Sequence, residues 1–211
     1  MTEEATRIWN RVHELLEAER QEEAVREAES LVSREPESAE AHSLLGMARA
    51  QRGEVEGALS SLDRALALDP GLTSARLEKA RVLYDDARFE DVLETLRDEE
   101  SVEALYLAAS ALYELGEHEE AGDVCARALA LEELPELRHL EALVELSRAK
   151  PDKALAAANR SIELDPESAA GLHARGLSLT QLGRIEEADA AFARAAELDP
   201  ESYFLPFRLS A

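Results

Sequence analysis

The chain has 211 residues, a formal net charge of -23, 33% charged residues and 45% hydrophobic ones. Phosphate binding is driven by Lys and Arg that release counterions, so nucleic acid and anionic membrane surfaces are poor partners, and basic or neutral ones are favoured. The single cysteine, Cys125, can supply neither an internal disulfide nor a thiolate metal site.

No apolar run approaches the length needed to span a bilayer. Met1 is followed by Thr2-Glu3-Glu4, the wrong sign for the basic start of an export signal, so a cytoplasmic location is expected. Three lysines accompany twenty arginines, which suggests a GC-rich bacterial genome.

Taken in chain order, the elements are punctuated by proline. Pro36 and Pro70 lie 34 residues apart, as do Pro166 and Pro200, and this is the period of a two-helix repeat. Each proline ends one helix and precedes the start of another, as in Glu35-Pro36-Glu37-Ser38 and Asp165-Pro166-Glu167-Ser168. The repeats read as 5–38, 39–72, 73–101, 102–134, 135–168 and 169–202. The amphipathic pattern is helical throughout, and no window alternates as a strand would.

Two repeats are irregular. Between Pro70 and Pro166 three periods would need about 102 residues, but the chain spends 96. Most of the loss falls in the third repeat, where 89–97 must serve as a short second helix and Asp98-Glu99-Glu100-Ser101 closes the unit without proline. The fifth opens on Pro135, a residue suited to a first helical turn. There Arg138, Glu141 and Glu145 fall where apolar residues belong, and a one-residue shift would place Leu140, Leu143 and Leu146 differently. After the sixth repeat the tail 203–211, with Tyr203, Phe204, Leu205, Phe207 and Leu209, is too apolar to stand in water uncovered.

In the last repeat Leu172, Gly176, Leu179, Gly183, Ala188, Phe192, Ala195 and Pro200, and in the second Leu45, Gly46, Gly53, Ala58, Leu62, Ala65 and Pro70, sit at characteristic offsets. By these residues the chain resembles the tetratricopeptide repeat family over nearly its whole length. The resemblance implies an all-α fold, a right-handed α-α superhelical solenoid of stacked helix-turn-helix repeats. Small residues at Gly46, Ala80, Ala109, Ala142 and Gly176 would let the first helix of a repeat, helix A, lie close to the second, helix B. One such pair cannot bury its apolar face alone, so neighbours must supply the other wall.

Catalytic patterns are missing. His13-Glu14-Leu15-Leu16-Glu17 lacks the second histidine of a zinc helix, and His42 and His118 join no group. His139 and His173 are 34 residues apart and fall on one face of neighbouring repeats, but two histidines without a third ligand read as polar groove residues. The expectation is a protein that is not an enzyme and carries no metal and no cofactor.

The resemblance further implies that partner segments lie along a concave surface built by the A helices. Counted from the two best-matching repeats, that surface offers Trp9, Asn10 and His13, then Ser43, Leu44, Met47 and Gln51, then Leu77, Glu78, Arg81 and Tyr84. It continues with Tyr106, Leu107, Ser110 and Tyr113, with His139, Leu140 and Leu143, and with His173, Leu177 and Gln181. Family members that grip acidic chaperone tails use a Lys/Asn/Arg clamp, and it is absent: Asn10 is the lone asparagine of the surface. The expected partner is therefore an apolar or amphipathic protein segment, with basic residues flanking it. Two alternatives stand beside that expectation. One is a targeting or regulatory domain of a larger enzyme, such as a zincin-like metallopeptidase. The other is a unit that self-associates through its tail.

Overall fold

The computed structural model describes residues 3–200, with side chains from Thr6 onward; the tail 203–211 lies outside these residues. The described residues form twelve helices and no strand: α1 Glu3–Glu17, α2 Gln21–Arg34, α3 Ala39–Gln51, α4 Val55–Leu68, α5 Thr73–Asp85, α6 Phe89–Thr95, α7 Val102–Glu114, α8 His118–Leu131, α9 Pro135–Ser147, α10 Pro151–Leu164, α11 Ala169–Gln181 and α12 Ile185–Leu198. Odd-numbered helices pack on the even-numbered helix that follows, so the fold is an all-α solenoid of helix-turn-helix repeats. The chain divides into two compact units, the first ending at Asp98 and the second beginning at Glu99.

The helix starts follow from side-chain chemistry. The hydroxyls of Ser38, Ser101 and Ser168 accept from the backbone N–H of Ala41, Ala104 and Gly171 at 3.2, 3.3 and 3.0 Å, satisfying donors that the first turn leaves open. Pro135 and Pro151 stand in the first turns of α9 and α10, where a missing N–H costs nothing. The turn inside each repeat needs one left-handed residue. Gly53, Gly116 and Gly183 supply it at φ of 79, 81 and 73°, but Glu19, Ala87 and Ala149 take φ near 56° with a Cβ in place.

Close approach explains the small residues. A Cβ on Gly46 of α3 would stand 2.6 Å from Leu62 Cγ on α4, and one on Gly176 of α11 would run into the Phe192 ring of α12, 2.6 Å from its Cδ1. Ala80, Ala109 and Ala142 are fully buried. In the first unit the core gathers Val12, Leu15, Val25, Leu31, Leu44 and Leu45. In the second it gathers Leu105, Cys125, Leu137, Leu140 and Val144. The register left open for α9 is thereby settled. Leu137, Leu140 and Val144 point inward, while Arg138 turns to Glu133 and Glu141 at 2.5 and 2.8 Å. Glu145 is buried beside Arg148, 2.8 Å away.

A recurrent ion pair clasps the outside of the repeats. Arg64, Arg127 and Arg160, each on a B helix, reach Glu37, Glu100 and Glu133 at 3.0, 2.6 and 2.7 Å. All three partners lie 27 residues upstream, in the segment before helix A.

Candidate functional site

In the second unit the A helices α7, α9 and α11 carry a line of rings. Tyr106 is half-buried against the core, and its hydroxyl is pushed above the ordinary phenol range by burial. Tyr113 is half-buried and tilted against the His118 ring, with centroids 5.4 Å apart. His139 and His173 are half-buried on adjacent helices, and burial holds both imidazoles below their usual value. The nearby His173 charge depresses His139 further, which brings the two histidines into one electrostatic neighbourhood. His173 also leans on Phe192 at 5.5 Å. Near neutral pH the His139 and His173 rings are thus uncharged, on a chain of net charge -23.

Ser110 stands apart from that line. It is 6% exposed, and its hydroxyl donates to the Tyr106 carbonyl at 2.9 Å, so it packs the helix and offers a partner little. Leu107 and Leu140 are likewise core residues, whereas Leu143 and Leu177 are half-buried and Gln181 is exposed.

In the first unit Trp9 is 38% exposed and stacked on His13 with centroids 3.7 Å apart. The His13 Nδ1–H donates to the Trp9 carbonyl at 2.9 Å and holds that stack. Asn10 is exposed beside it. Met47 and Leu77 are half-buried, Met47 against the core, while Leu44 is buried outright. Arg81 is exposed and paired with Glu78 at 2.8 Å. Tyr84 meets Phe89 edge-on at 5.4 Å.

The sequence pattern missed a second concavity of the first unit, about 560 Å3 in volume, on the B-helix side. It is lined by Leu59, Asp63 and Leu66 of α4, Lys79 and Leu83 of α5, and Arg88, Asp91 and Glu94 at and along α6. Its lining is mostly polar and drawn from three helices, so no periodic signal in the sequence marked it.

Reactive chemistry is muted on these faces. Cys125 is 1% exposed, donates weakly to the Leu137 carbonyl at 3.5 Å, and has its thiol pushed up to about 12 by burial, so it carries almost no thiolate. Among the described residues no group of three His, Cys, Asp or Glu side chains is placed to hold a metal ion. Among them, too, no helix is long and apolar enough to cross a membrane.

Models of the tetratricopeptide repeat match residues 10–73 and 169–202, and the model of anaphase-promoting complex, cyclosome, subunit 3 matches 51–128. Among solved structures, the MamA protein is 26% identical over 81% of this chain and 98% of its own, with a TM-score of 0.67. YrrB, a tetratricopeptide repeat protein with an unusual peptide-binding site, is 20% identical over 82% of this chain and 93% of its own, with a TM-score of 0.63. A tetratricopeptide repeat protein from Parabacteroides merdae, 17% identical over 93% of this chain and 80% of its own, superposes with a TM-score of 0.77. No curated protein matches the sequence significantly. With its paired helices, its close A-to-B contacts at Gly46 and Gly176 and these matches, the chain belongs to the tetratricopeptide repeat family.

Proposed function

We propose that this protein is a non-catalytic interaction scaffold that holds an apolar or amphipathic segment of another protein against the A-helix face of its repeats. The observation that carries the reading is the line of half-buried rings on the second unit: Tyr106, Tyr113, His139 and His173. Tyrosine suits a surface that is half apolar and half wet, and burying such rings is how interfaces gain most of their affinity. In the first unit the same reading assigns Trp9, Asn10, Met47, Leu77, Arg81 and Tyr84 to contacts with a partner. The acidic balance of the chain favours basic residues flanking the bound segment. YrrB, with its peptide-binding site, gives the reading a precedent within the fold. A cytoplasmic, bacterial setting belongs to the same proposal and rests on composition.

The test is affinity capture from native lysate with the wild-type chain beside a Tyr106→Ala/Tyr113→Ala variant of equal helicity. A protein held by wild type and lost from the variant, whose isolated binding segment then competes for the bait, is the expected result. Equal retention by both baits would remove the second unit's A-helix face from consideration.

A further inference from the structure

Three rings of the second unit stand at one level. Tyr106, His139 and His173 are each the fifth residue of their A helix, α7, α9 and α11, and all three are half-buried. These helices pack side by side, and at the usual spacing of about 8–10 Å the row is about 16–20 Å long. It ends on Phe192 of α12, whose ring meets His173 at 5.5 Å. As the second helix of its repeat, α12 runs back along α11 and finishes at Leu198, at the end where α11 starts. The chain therefore leaves the fold about 6 Å below the row, the rise of four helical residues. The exposed Glu136 carboxylate acts electrostatically on both Tyr106 and His139, which places a negative charge beside the row.

We propose that residues 203–209 of the chain's own tail lie across this row and occupy the face until a partner displaces them. This rests on the reading of that face as a partner site, whose expected ligand the tail resembles: an apolar segment with one basic residue, Arg208. Pro206 has no N–H for a helical ladder and holds Leu205 extended. In an extended chain Tyr203, Leu205, Phe207 and Leu209 share one side. Seven such residues span about 23 Å, enough to run from His173 to Tyr106. Arg208, near the far end, then comes level with Glu136, so apolar contact and charge agree on one direction of docking. Tethering at Pro200 gives the tail an effective concentration on the order of millimolar, so a contact weak in trans is largely filled in cis.

The test compares the isotope-labelled full chain with its Tyr203→Ser/Phe207→Ser/Leu209→Ser variant, with helicity checked by circular dichroism. Expected are shifts centred on Tyr106, Glu136, His139 and His173. A synthetic peptide of residues 201–211 should then bind the variant at the same residues, and bind wild type at least ~10-fold more weakly because the tethered tail competes. Should the variant unfold, Glu136→Lys at its exposed position takes its place and must move the resonances of 207–209. Shifts centred instead on Ile185 and Asp189 of α12 would make the tail a plain end cap and overturn the proposal. So would an unmoved row, or a row contact that grows with protein concentration as the chain dimerises, which would make the occupant a second copy. Capture from lysate separates this contact from the partner site itself. A protein held equally by both full chains, with the row unmoved, overturns tail docking and leaves partner binding intact. Tail docking at the row, with no protein held by either chain, does the reverse.

Discussion

Replacing Gly46 by alanine tests whether close approach of α3 to α4 holds the first unit together. The added Cβ would lie 2.6 Å from Leu62 Cγ, 2.9 Å from its Cδ2 and 3.2 Å from the Ala58 carbonyl oxygen. Leu62 is fully buried and has nowhere to withdraw, so α3 and α4 must part. Overpacking of this kind costs about 1–3 kcal/mol, against which the better helix propensity of alanine returns about 1 kcal/mol. The net expectation is a loss of up to about 2 kcal/mol, read as a lower urea midpoint by circular dichroism, with fluorescence of the sole tryptophan, Trp9, reporting on the first unit. Gly57→Ala is the control. Its Cβ meets the flexible Arg49 side chain at 3.3 Å, so it should be neutral or gain up to about 1 kcal/mol. Combined with Leu62→Ala, which removes the atom that Gly46→Ala strikes, the double variant should lose less than the sum of the two single changes. A Gly46→Ala protein as stable as the control would refute the argument.

Ala149→Gly should stabilise the second unit by up to about 1 kcal/mol, because Ala149 is held at φ 56° and glycine adopts that conformation without a Cβ clash; thermal melts of the variant against wild type decide it. His139 and His173 are both held below the usual imidazole value of 6.5. The unfolded chain therefore binds more protons, and stability that is complete above pH 6.5 declines as the pH falls through and below it. His139→Gln/His173→Gln should flatten the fall in melting temperature between about pH 7.5 and 5.5 relative to wild type. Cys125, with its thiol near 12 and 1% exposed, should resist thiol reagents in the native protein and react fully once denatured; fast native labelling would contradict its placement.

The fold was legible because its signals are local and periodic. Pro36, Pro70, Pro166 and Pro200 mark repeat ends, and Gly46 and Gly176 mark helix contacts whose cause needs only the partner side chains Leu62 and Phe192. The site was legible in outline alone. Tyr106 and Ser110 lie one turn apart on α7, yet one is half-buried and the other is sealed in, because the same helix must serve the core and the surface. The register of α9 depended on where Arg138 and Glu145 found partners, namely Glu133, Glu141 and Arg148, which a single strip of sequence does not reveal. The 27-residue Glu–Arg spacing was present throughout, but only the packing of B helices on the preceding segments gives it meaning.

Those clasps also shape how the molecule meets others. Arg64, Arg127 and Arg160, like Arg20, Arg88, Arg138, Arg148 and Arg184, spend their guanidinium forks on carboxylates of the same chain. Each fork cancels a carboxylate beside it, and what acts at a distance is the excess of unmatched carboxylates behind the net charge of -23. A cationic protein approaching it is guided from a distance, so its encounter rate should fall steeply with added salt while the lifetime of the complex, set by apolar contacts, changes little.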